Sequence, residues 1–263
     1  MMMRAVLYTA GGLTLAFLVA PILVVVPLGF SASPYLEFPP AGFSLQWYAR
    51  YFASSKWIAA TLLSAQIGLG TTALALVLGV PAAFGLVRRP FRGKGALTAF
   101  FMAPIIVPYI ITAIAVYFLF ARLGLVGHPL GLLLAHTILA LPKVVVIVAA
   151  ALKGFDRTLE RASLSLGAGP WTTFWRVTYP SIRPAVVTAA LFAFLTSFDE
   201  LILSMFITGP TAVTLPKLMW DAVRLEIDPT IAAASSLLIA VAVIVLGTME
   251  ALRRKSAVRV PVS

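Results

Sequence analysis

Long apolar runs alternate with short polar segments along the chain. Five runs contain no Asp, Glu, Lys or Arg and are long enough to cross a hydrocarbon core of about 30 Å as helices. These runs are 5–36, 57–87, 95–121, 123–142 and 229–249. A sixth run, 184–207, is interrupted only by the adjacent carboxylates Asp199 and Glu200. None of the runs shows the alternation that is typical of membrane β-strands, so the pattern predicts six transmembrane helices.

The fold class that follows is an all-α integral membrane protein with a single transmembrane domain over residues 1–263. Its helices are predicted at about 5–30, 57–87, 96–121, 130–153, 184–208 and 229–252, with a cytoplasmic loop at 154–183. Pro104 and Pro108 predict a kink or break in the third helix, because each lacks a backbone N–H. The first run follows a single basic residue, Arg4, and is too long for a signal-peptide core, so we expect a retained helix.

The composition supports a membrane protein. Hydrophobic residues make up 61% of the chain, charged residues only 11%, and the mean hydropathy is +1.01. A soluble globular domain has about twice that share of charged residues. The chain has no cysteine, which excludes disulfides, thiol chemistry and cysteine-ligated metal sites.

The positions of the basic residues indicate the orientation of the chain in the membrane rather than nucleic-acid binding. With the N-terminus inside, fourteen Lys and Arg residues fall on the side of both termini and five on the opposite side, while Lys143 lies within a span. An excess of Lys and Arg marks the cytoplasmic loops of membrane proteins. We therefore predict cytoplasmic termini, and we interpret the net charge of +11 as mainly topological.

One polar segment, residues 154–183 between the fourth and fifth predicted spans, is too patterned for a linker. Leu159, Ala162 and Leu166 share one face of a predicted helix, which Gly167 is placed to end. The face is apolar in a polar segment, and an exposed apolar face of this size requires a partner.

Prolines predict a second short helix in residues 154–183. Pro170 suits the first turn of a helix, where its missing N–H costs nothing. Pro180 and Pro184 are expected to stop that helix before the fifth span begins.

Residues 154–183 resemble the EAA coupling loop of the inner-membrane permeases of ATP-binding-cassette (ABC) importers, and we therefore call this segment the coupling loop. That pattern has E-A-A, three residues, glycine, nine residues and then I-x-L-P. Here nine residues follow Gly167, and the pattern ends on Val177–Pro180, with Tyr179 in place of leucine. Arg161–Ser163 occupies the E-A-A positions, and Glu160 stands one position early.

The resemblance implies that separate ATPase subunits drive this chain through the coupling loop. The residues that it assigns to ATPase coupling are Glu160, Arg161, Ala162, Gly167, Pro170, Val177 and Pro180. The nearest candidate for a phosphate loop, RRPFRGKG, has Arg88 at the first glycine position and Gly95 where Ser or Thr is required. We therefore expect ATP on the partner subunits, no cofactor or metal in this chain, and no enzymatic activity of its own.

Three further segments extend the resemblance over most of the chain. GVPAAFGLVRRPFRGKG is similar to the end of the second helix in this superfamily, and SFDELILSMFITGP and TLPKLMWDAVRLEIDPTIAAASSLLI resemble its spermidine and putrescine permeases. Polyamine import is the function that this resemblance implies. Permeases for opines, phosphonates, thiamine and iron share related sequences, so these solutes stay open as alternatives.

The resemblance also implies an assembly. The expected fold is that of a type I ABC importer permease in the bacterial inner membrane. The expected partners are a second, different permease subunit, two ATP-binding subunits, an external substrate-binding protein and membrane lipid.

Asp199 and Glu200 are the candidate residues of the substrate pathway. Counted from Pro184 at about 1.5 Å per residue, they lie about 22 Å along the fifth predicted helix. An ionised carboxylate there costs a few kcal/mol and needs a partner or a wet cavity. Because adjacent helical residues point about 100° apart, we expect different roles, with at least one carboxylate facing a cationic substrate. The alternative is a structural ion pair with Lys143.

An ion-coupled secondary carrier is the alternative from another functional class. In it, the two carboxylates of the sixth run would bind protons or cations, but the chain shows no internal repeat of the kind found in many such carriers. An intramembrane enzyme lacks a recognisable catalytic motif.

The remaining candidates are weaker. His128 and His136 have no acid at metal-ligand spacing, so a metal site is not predicted. Asp221, Glu226 and Asp228 form an acidic outer loop that suits a binding protein or a cation, although Asp228 also fits a helix cap.

Overall fold

The structure is a computed structural model that describes residues 2–210, 212–225 and 228–257, with side chains described for residues 6–251 of these ranges. Within them the regular structure is helical, and the only strand-like pairing is an isolated bridge between Ser31 and Phe43. The helices are α1 Met2–Gly29, α2 Gln46–Ala53, α3 Ser55–Arg88, α4 Lys94–Ile106, α5 Tyr109–Arg122, α6 Pro129–Lys153, α7 Arg157–Ser165, α8 Pro170–Thr173, α9 Tyr179–Phe198, α10 Ile202–Ile207, α11 Leu215–Leu225 and α12 Thr230–Ala257. A π-helical turn, Phe174–Thr178, joins α8 to α9.

The predicted number of spans agrees with the helices of the described residues. Five segments are long and apolar enough to cross a membrane: Val6–Gly29, Ser55–Arg88, Pro129–Lys153, Pro170–Phe198 and Thr230–Ala251. The pair α4 and α5 makes a sixth when it is counted as one bent span. The all-α membrane fold class is therefore confirmed.

The third span is broken rather than continuous. The prediction of one helix over 96–121 is replaced by α4 and α5, which meet at an angle of 107°. The break lies at Pro108, which precedes the first residue of α5, and Val107 is extended with ψ of 133°. A proline disfavours helical geometry in the residue before it and cannot donate to the preceding turn. Of the two outcomes that Pro104 and Pro108 predicted, a kink or a break, the structure contains a break.

The second short helix of the coupling loop is not separate from the fifth span. Helical structure runs without interruption from Pro170 to Phe198, so the prediction that Pro180 and Pro184 stop the helix is wrong. The π-helical turn stands immediately before Pro180, and the Tyr179 N–H bonds to the Phe174 carbonyl five residues back. Such local widening lets a membrane helix accommodate proline, because it re-satisfies the freed backbone groups.

The described residues fall into two compact units, one drawn from Met1–Ala59 and Leu218–Ile244 and the other from Ala60–Lys217 and Val245–Ser263. In the first unit, Tyr48 Oη and Ser236 Oγ share a hydrogen bond of 2.6 Å. Asp228 accepts a 2.9 Å hydrogen bond from the Thr230 N–H at the start of α12. The interpretation of Asp228 as a helix cap is therefore confirmed, whereas Glu226 lies outside the described residues.

The second unit is built around α6, which packs against α4, α9 and α10. Leu132, Val144 and Val148 on this helix are fully buried. Gly79 of α3 faces it so closely that a Cβ there would lie 2.7 Å from Val144 Cγ1. Small residues of this kind let membrane helices approach one another.

We expect Gly79→Ala to destabilise the second unit by about 1–3 kcal/mol, because the added methyl group overpacks the contact with a buried, β-branched valine. Gly85→Ala in the same helix is the matched control, since nothing lies within 4 Å of its added Cβ. The measurement is the melting temperature of each purified variant in detergent. Equal melting temperatures for the two variants would contradict close α3–α6 packing.

Candidate functional site

The coupling loop begins with a capped helix. Asp156 precedes α7 and accepts hydrogen bonds from the Thr158 N–H at 2.9 Å and the Thr158 hydroxyl at 2.7 Å. The hydroxyl and backbone hydrogen bonds from Thr158 hold the pKa of the Asp156 carboxyl below its usual value. The cap is therefore complete above the carboxyl's ordinary titration range and is lost only when the pH falls through that lowered pKa.

Gly167 ends α7 as predicted. Its φ of +85° is in the left-handed region that glycine adopts without strain. The Gly167 N–H bonds to the Leu164 carbonyl at 3.0 Å, and the Ala168 N–H bonds to the Ser163 carbonyl at 3.2 Å. This double closure is a Schellman motif. It leaves the apolar side chain of Leu166 89% exposed at the tip of the loop.

Glu160 connects the coupling loop to a membrane helix. Arg88, the last residue of α3, donates from Nη2 to Glu160 Oε1 at 2.7 Å, and the Thr178 hydroxyl donates to the same oxygen at 2.7 Å. A further hydrogen bond of 3.0 Å joins Ser163 of α7 to Thr173 of α8. The ion pair between Glu160 and Arg88 was not predicted from the sequence, because the two residues are 72 positions apart and no sequence pattern pairs them.

The seven residues assigned to ATPase coupling lie on α7, its C-terminal turn, α8, the π-helical turn and the start of α9. Arg161, Ala162, Gly167, Pro170 and Pro180 are exposed, while Glu160 and Val177 are partly buried. The exposed members therefore share the loop surface with Leu166. Glu160 instead connects that surface to α3.

A cluster of aromatic side chains that the sequence analysis did not single out lies at the start of the fifth span. Trp171 lies 6.0 Å from Phe174 and 5.7 Å from Trp175, and Trp175 lies 5.1 Å from Tyr179, as ring-centroid distances. Trp171 is 72% exposed. Exposed tryptophan and tyrosine at the end of a membrane span are typical of the headgroup region, and the cluster of aromatic letters in WTTFWRVTY was the available signal.

The fifth predicted span, 184–208, contains a helix break at residues 199–201. The prediction that Asp199 and Glu200 lie inside one continuous helix is wrong, since α9 ends at Phe198 and α10 begins at Ile202. A break at this depth frees backbone N–H groups that lipid cannot satisfy. The acidic pair is therefore placed at a backbone discontinuity.

Glu200 satisfies those freed groups. Its carboxylate accepts from the Leu203 N–H at 2.9 Å and from the Ser204 N–H at 3.0 Å, both in the first turn of α10. A carboxylate in this position also interacts favourably with the helix dipole. Only 7% of Glu200 is exposed.

His136 of α6 supports the helix break from the neighbouring helix. Its Nδ1 is 2.8 Å from Ser197 Oγ, and its Nε2 is 3.2 Å from Ser204 Oγ and 3.7 Å from Glu200 Oε2. The Ser204 hydroxyl donates its one proton to the Glu200 carbonyl and therefore accepts from His136, which places an imidazole proton on Nε2. Ser197 Oγ also lies 3.4 Å from Thr71 Oγ1 of α3.

Asp199 differs from Glu200 in exposure and in hydrogen bonding. It is exposed, and its carboxylate has no hydrogen bond or ion pair among the described residues. Lys143 lies within 4.0 Å of neither acid and donates to Thr196 Oγ1 at 2.8 Å. The alternative of a structural ion pair with Lys143 is therefore not what the structure contains.

The two histidines have structural partners. His128 accepts from the Leu130 N–H at 3.1 Å and so caps α6, and His136 belongs to the helix break. Among residues 2–210, 212–225 and 228–257, no group of three His, Asp or Glu side chains is arranged to hold a metal ion.

Comparisons with known proteins identify the relatives of this chain. A family described as "Binding-protein-dependent transport system inner membrane component" matches residues 75–255. The putrescine transport system permease protein PotI of Escherichia coli K12 is 34% identical over 230 residues, which cover 85% of this chain and 82% of PotI. The spermidine/putrescine transport system permease protein PotC of Haemophilus influenzae is 30% identical over 241 residues, covering 92% and 93% of the two chains.

A solved structure has the same fold. A chain of the bacterial alginate ABC transporter, crystallised in complex with an alginate pentasaccharide-bound periplasmic protein, superposes with a TM-score of 0.67 at 16% identity. The match covers 97% of this chain and 93% of that chain.

We expect Glu200→Gln to destabilise the protein by about 1–3 kcal/mol, because an amide has one acceptor oxygen and leaves one of the two buried N–H groups unsatisfied. Asp199→Asn is the matched control and should change the stability by less than about 0.5 kcal/mol, since this side chain is exposed and unpaired. Melting temperatures in detergent measure both. A larger loss for Asp199→Asn would contradict the division of roles at the helix break.

Proposed function

Since this chain belongs to the family of binding-protein-dependent transport system inner membrane components, we propose that the importer of which it is the permease carries polyamines such as putrescine and spermidine. Membership makes the chain a multi-pass inner-membrane permease subunit of an ABC importer, which is a transport component. The similarity to PotI over 85% of this chain is the observation that carries the choice of substrate. The similarity to PotC over 92% of this chain favours the same substrate class.

The exposed carboxylate of Asp199 supports a cationic substrate. A polyamine leaving water needs compensation of its ammonium charges, which a carboxylate in the pathway supplies. We assign this role to Asp199, because its side chain is exposed and unpaired among the described residues. Glu200 acts indirectly in this proposal, since its carboxylate is engaged by α10 and holds the helix break in place.

The assembly that we propose contains a second, different permease subunit, two ATP-binding subunits and an external substrate-binding protein. The likeness in fold to an alginate transporter crystallised with its periplasmic protein supports an assembly of this kind. Both termini and the coupling loop face the cytoplasm in this arrangement, in keeping with the distribution of Lys and Arg.

The coupling loop transmits ATPase motion to the membrane helices in this proposal. The exposed Leu166 and the Gly167 turn form the contact for an ATPase subunit. Two routes lead inward from that contact: the continuous helix from Pro170 to Phe198, and the Glu160–Arg88 ion pair to α3. The continuous helix ends at the helix break, so the loop and Asp199 lie at opposite ends of one helical segment.

For the substrate, we expect Asp199→Asn to reduce ATP-dependent putrescine uptake by at least about tenfold, as loss of a desolvated charge contact of about 1.4 kcal/mol or more implies. The measurement is uptake by the complex reconstituted in vesicles with its binding protein. Spermidine and an anionic solute are offered in parallel, and assembly is checked by size exclusion. Unchanged uptake in Asp199→Asn would remove the residue from the pathway, and uptake of the anionic solute alone would contradict a polyamine substrate.

For coupling, we expect Gly167→Val to lower substrate-stimulated ATP hydrolysis or the copurification of ATPase subunits. A β-branched residue at φ of +85° is strained by about 1–2 kcal/mol, although nothing lies within 4 Å of the added Cβ. Gly169→Ala is the matched control, because that glycine has φ of −71° and equally open surroundings. Full coupling in Gly167→Val would contradict the role of this turn.

A further inference from the structure

A cavity of about 360 Å³ lies between the coupling loop and the end of α3. Its lining includes Phe84, Arg88, Arg89, Arg157, Glu160 and Phe174. All of them belong to the second compact unit. The Arg88–Glu160 ion pair forms part of its wall, but the transport function described above places no ligand in this space.

The cavity carries more positive charge than its own residues neutralise. Three guanidinium groups face one carboxylate, and that carboxylate is already bonded to Arg88 and Thr178. Arg89 and Arg157 make no hydrogen bond or ion pair with any described residue. Such a site attracts an anion, and guanidinium groups match the oxygens of phosphate particularly well.

The innermost arginine has an unused donor. Arg88 Nη2 donates to Glu160, but Nη1 is buried and has no hydrogen-bond partner among the described residues. A buried donor without an acceptor costs free energy.

We propose that this cavity binds the phosphate group of an anionic phospholipid. The proposal does not depend on which substrate the importer carries. Arg88 ends a membrane-spanning helix, so the cavity lies where that span leaves the hydrocarbon. Basic pockets in this position, on the cytoplasmic side of membrane helices, suit anionic lipid headgroups.

The rest of the lining favours a lipid over a free ion. Phe84, Leu164 and Phe174 give the cavity apolar walls, which a glycerol backbone and the first methylenes of an acyl chain can contact. Trp171 packs on Phe174 at 6.0 Å and is itself exposed, as expected for a side chain at headgroup level. Inorganic phosphate would leave these walls unused.

Binding at this place has a structural consequence. The cavity borders both partners of the Arg88–Glu160 ion pair. A bound headgroup would hold α3, α7 and α8 together and so stabilise the coupling loop against the membrane helices. We therefore expect anionic lipid to raise the melting temperature of the complex.

The test compares two variants of equal charge. Arg89→Gln combined with Arg157→Gln removes the two unpaired cavity arginines. Arg92→Gln combined with Lys94→Gln removes two neighbouring basic residues that do not line the cavity. Native mass spectrometry of the intact complex, taken from phosphatidylcholine nanodiscs doped with phosphatidylglycerol, measures how tightly phosphatidylglycerol is retained.

We expect wild type and the Arg92/Lys94 variant to retain phosphatidylglycerol equally, and the Arg89/Arg157 variant to retain it at least about tenfold more weakly, since each basic residue near a membrane surface adds to the attraction for anionic lipid. Leu164→Glu, which places a carboxylate at the cavity wall, should weaken retention without removing any arginine. Equal losses in both double variants would mean diffuse attraction of lipid to the basic surface and would overturn the proposal, as would no loss in either.

Two further measurements distinguish a phospholipid from other anionic ligands of the cavity. A thermal shift with inorganic phosphate in lipid-free detergent, abolished in the Arg89/Arg157 variant while phosphatidylglycerol has no effect, would assign the cavity to free phosphate and overturn the lipid source. Loss of ATPase subunits from the Arg89/Arg157 variant, with lipid retention unchanged, would assign the arginines to an acidic surface of that subunit and overturn the proposal.

Discussion

The need to satisfy backbone hydrogen bonds inside hydrocarbon governs the structure of this permease. Water is absent there, so each place where a helix ends or loosens must supply its own partners. The π-helical turn before Pro180 does this within the backbone, by a bond from Tyr179 to Phe174. The helix break at 199–201 does it with a side chain, because Glu200 accepts the first free N–H groups of α10. At both of these places in the described part of the chain, the irregular backbone has its hydrogen-bond partner built in.

The coupling loop also satisfies the backbone groups at the end of a helix. Its Schellman turn at Gly167 closes the last carbonyls of α7 and exposes Leu166. The loop is not free to move alone, since Glu160 bonds to both Arg88 and Thr178. A force applied at Leu166 therefore reaches α3 through an ion pair and α9 through continuous helix. Rigid connections of this kind are what a mechanical coupling element requires.

Local chemistry explains which features the sequence could predict. The apolar runs, the glycine turn and the cap at Asp228 depend on neighbours within a few positions, and each was found. The break at Asp199 was missed because an acid inside an apolar run does not itself signal that its carboxylate accepts from the N–H groups three and four positions later, and because His136, which also approaches Glu200, lies 64 positions away. The continuation of the fifth span through Pro180 was missed because the rule that proline ends a helix does not include a π-helical turn.

The need to satisfy backbone N–H groups at the helix break gives Asp199 and Glu200 different roles. Glu200 is fixed by two N–H groups and approached by His136, so its charge is already compensated by the protein. Asp199 follows the last residue of α9 and takes no part in that network, because its side chain is exposed and unpaired among the described residues. A rigid Glu200 gives Asp199 a defined position at the end of a helix that begins in the coupling loop. A displacement of that helix therefore moves the one acid of the pair whose charge remains available to a cation.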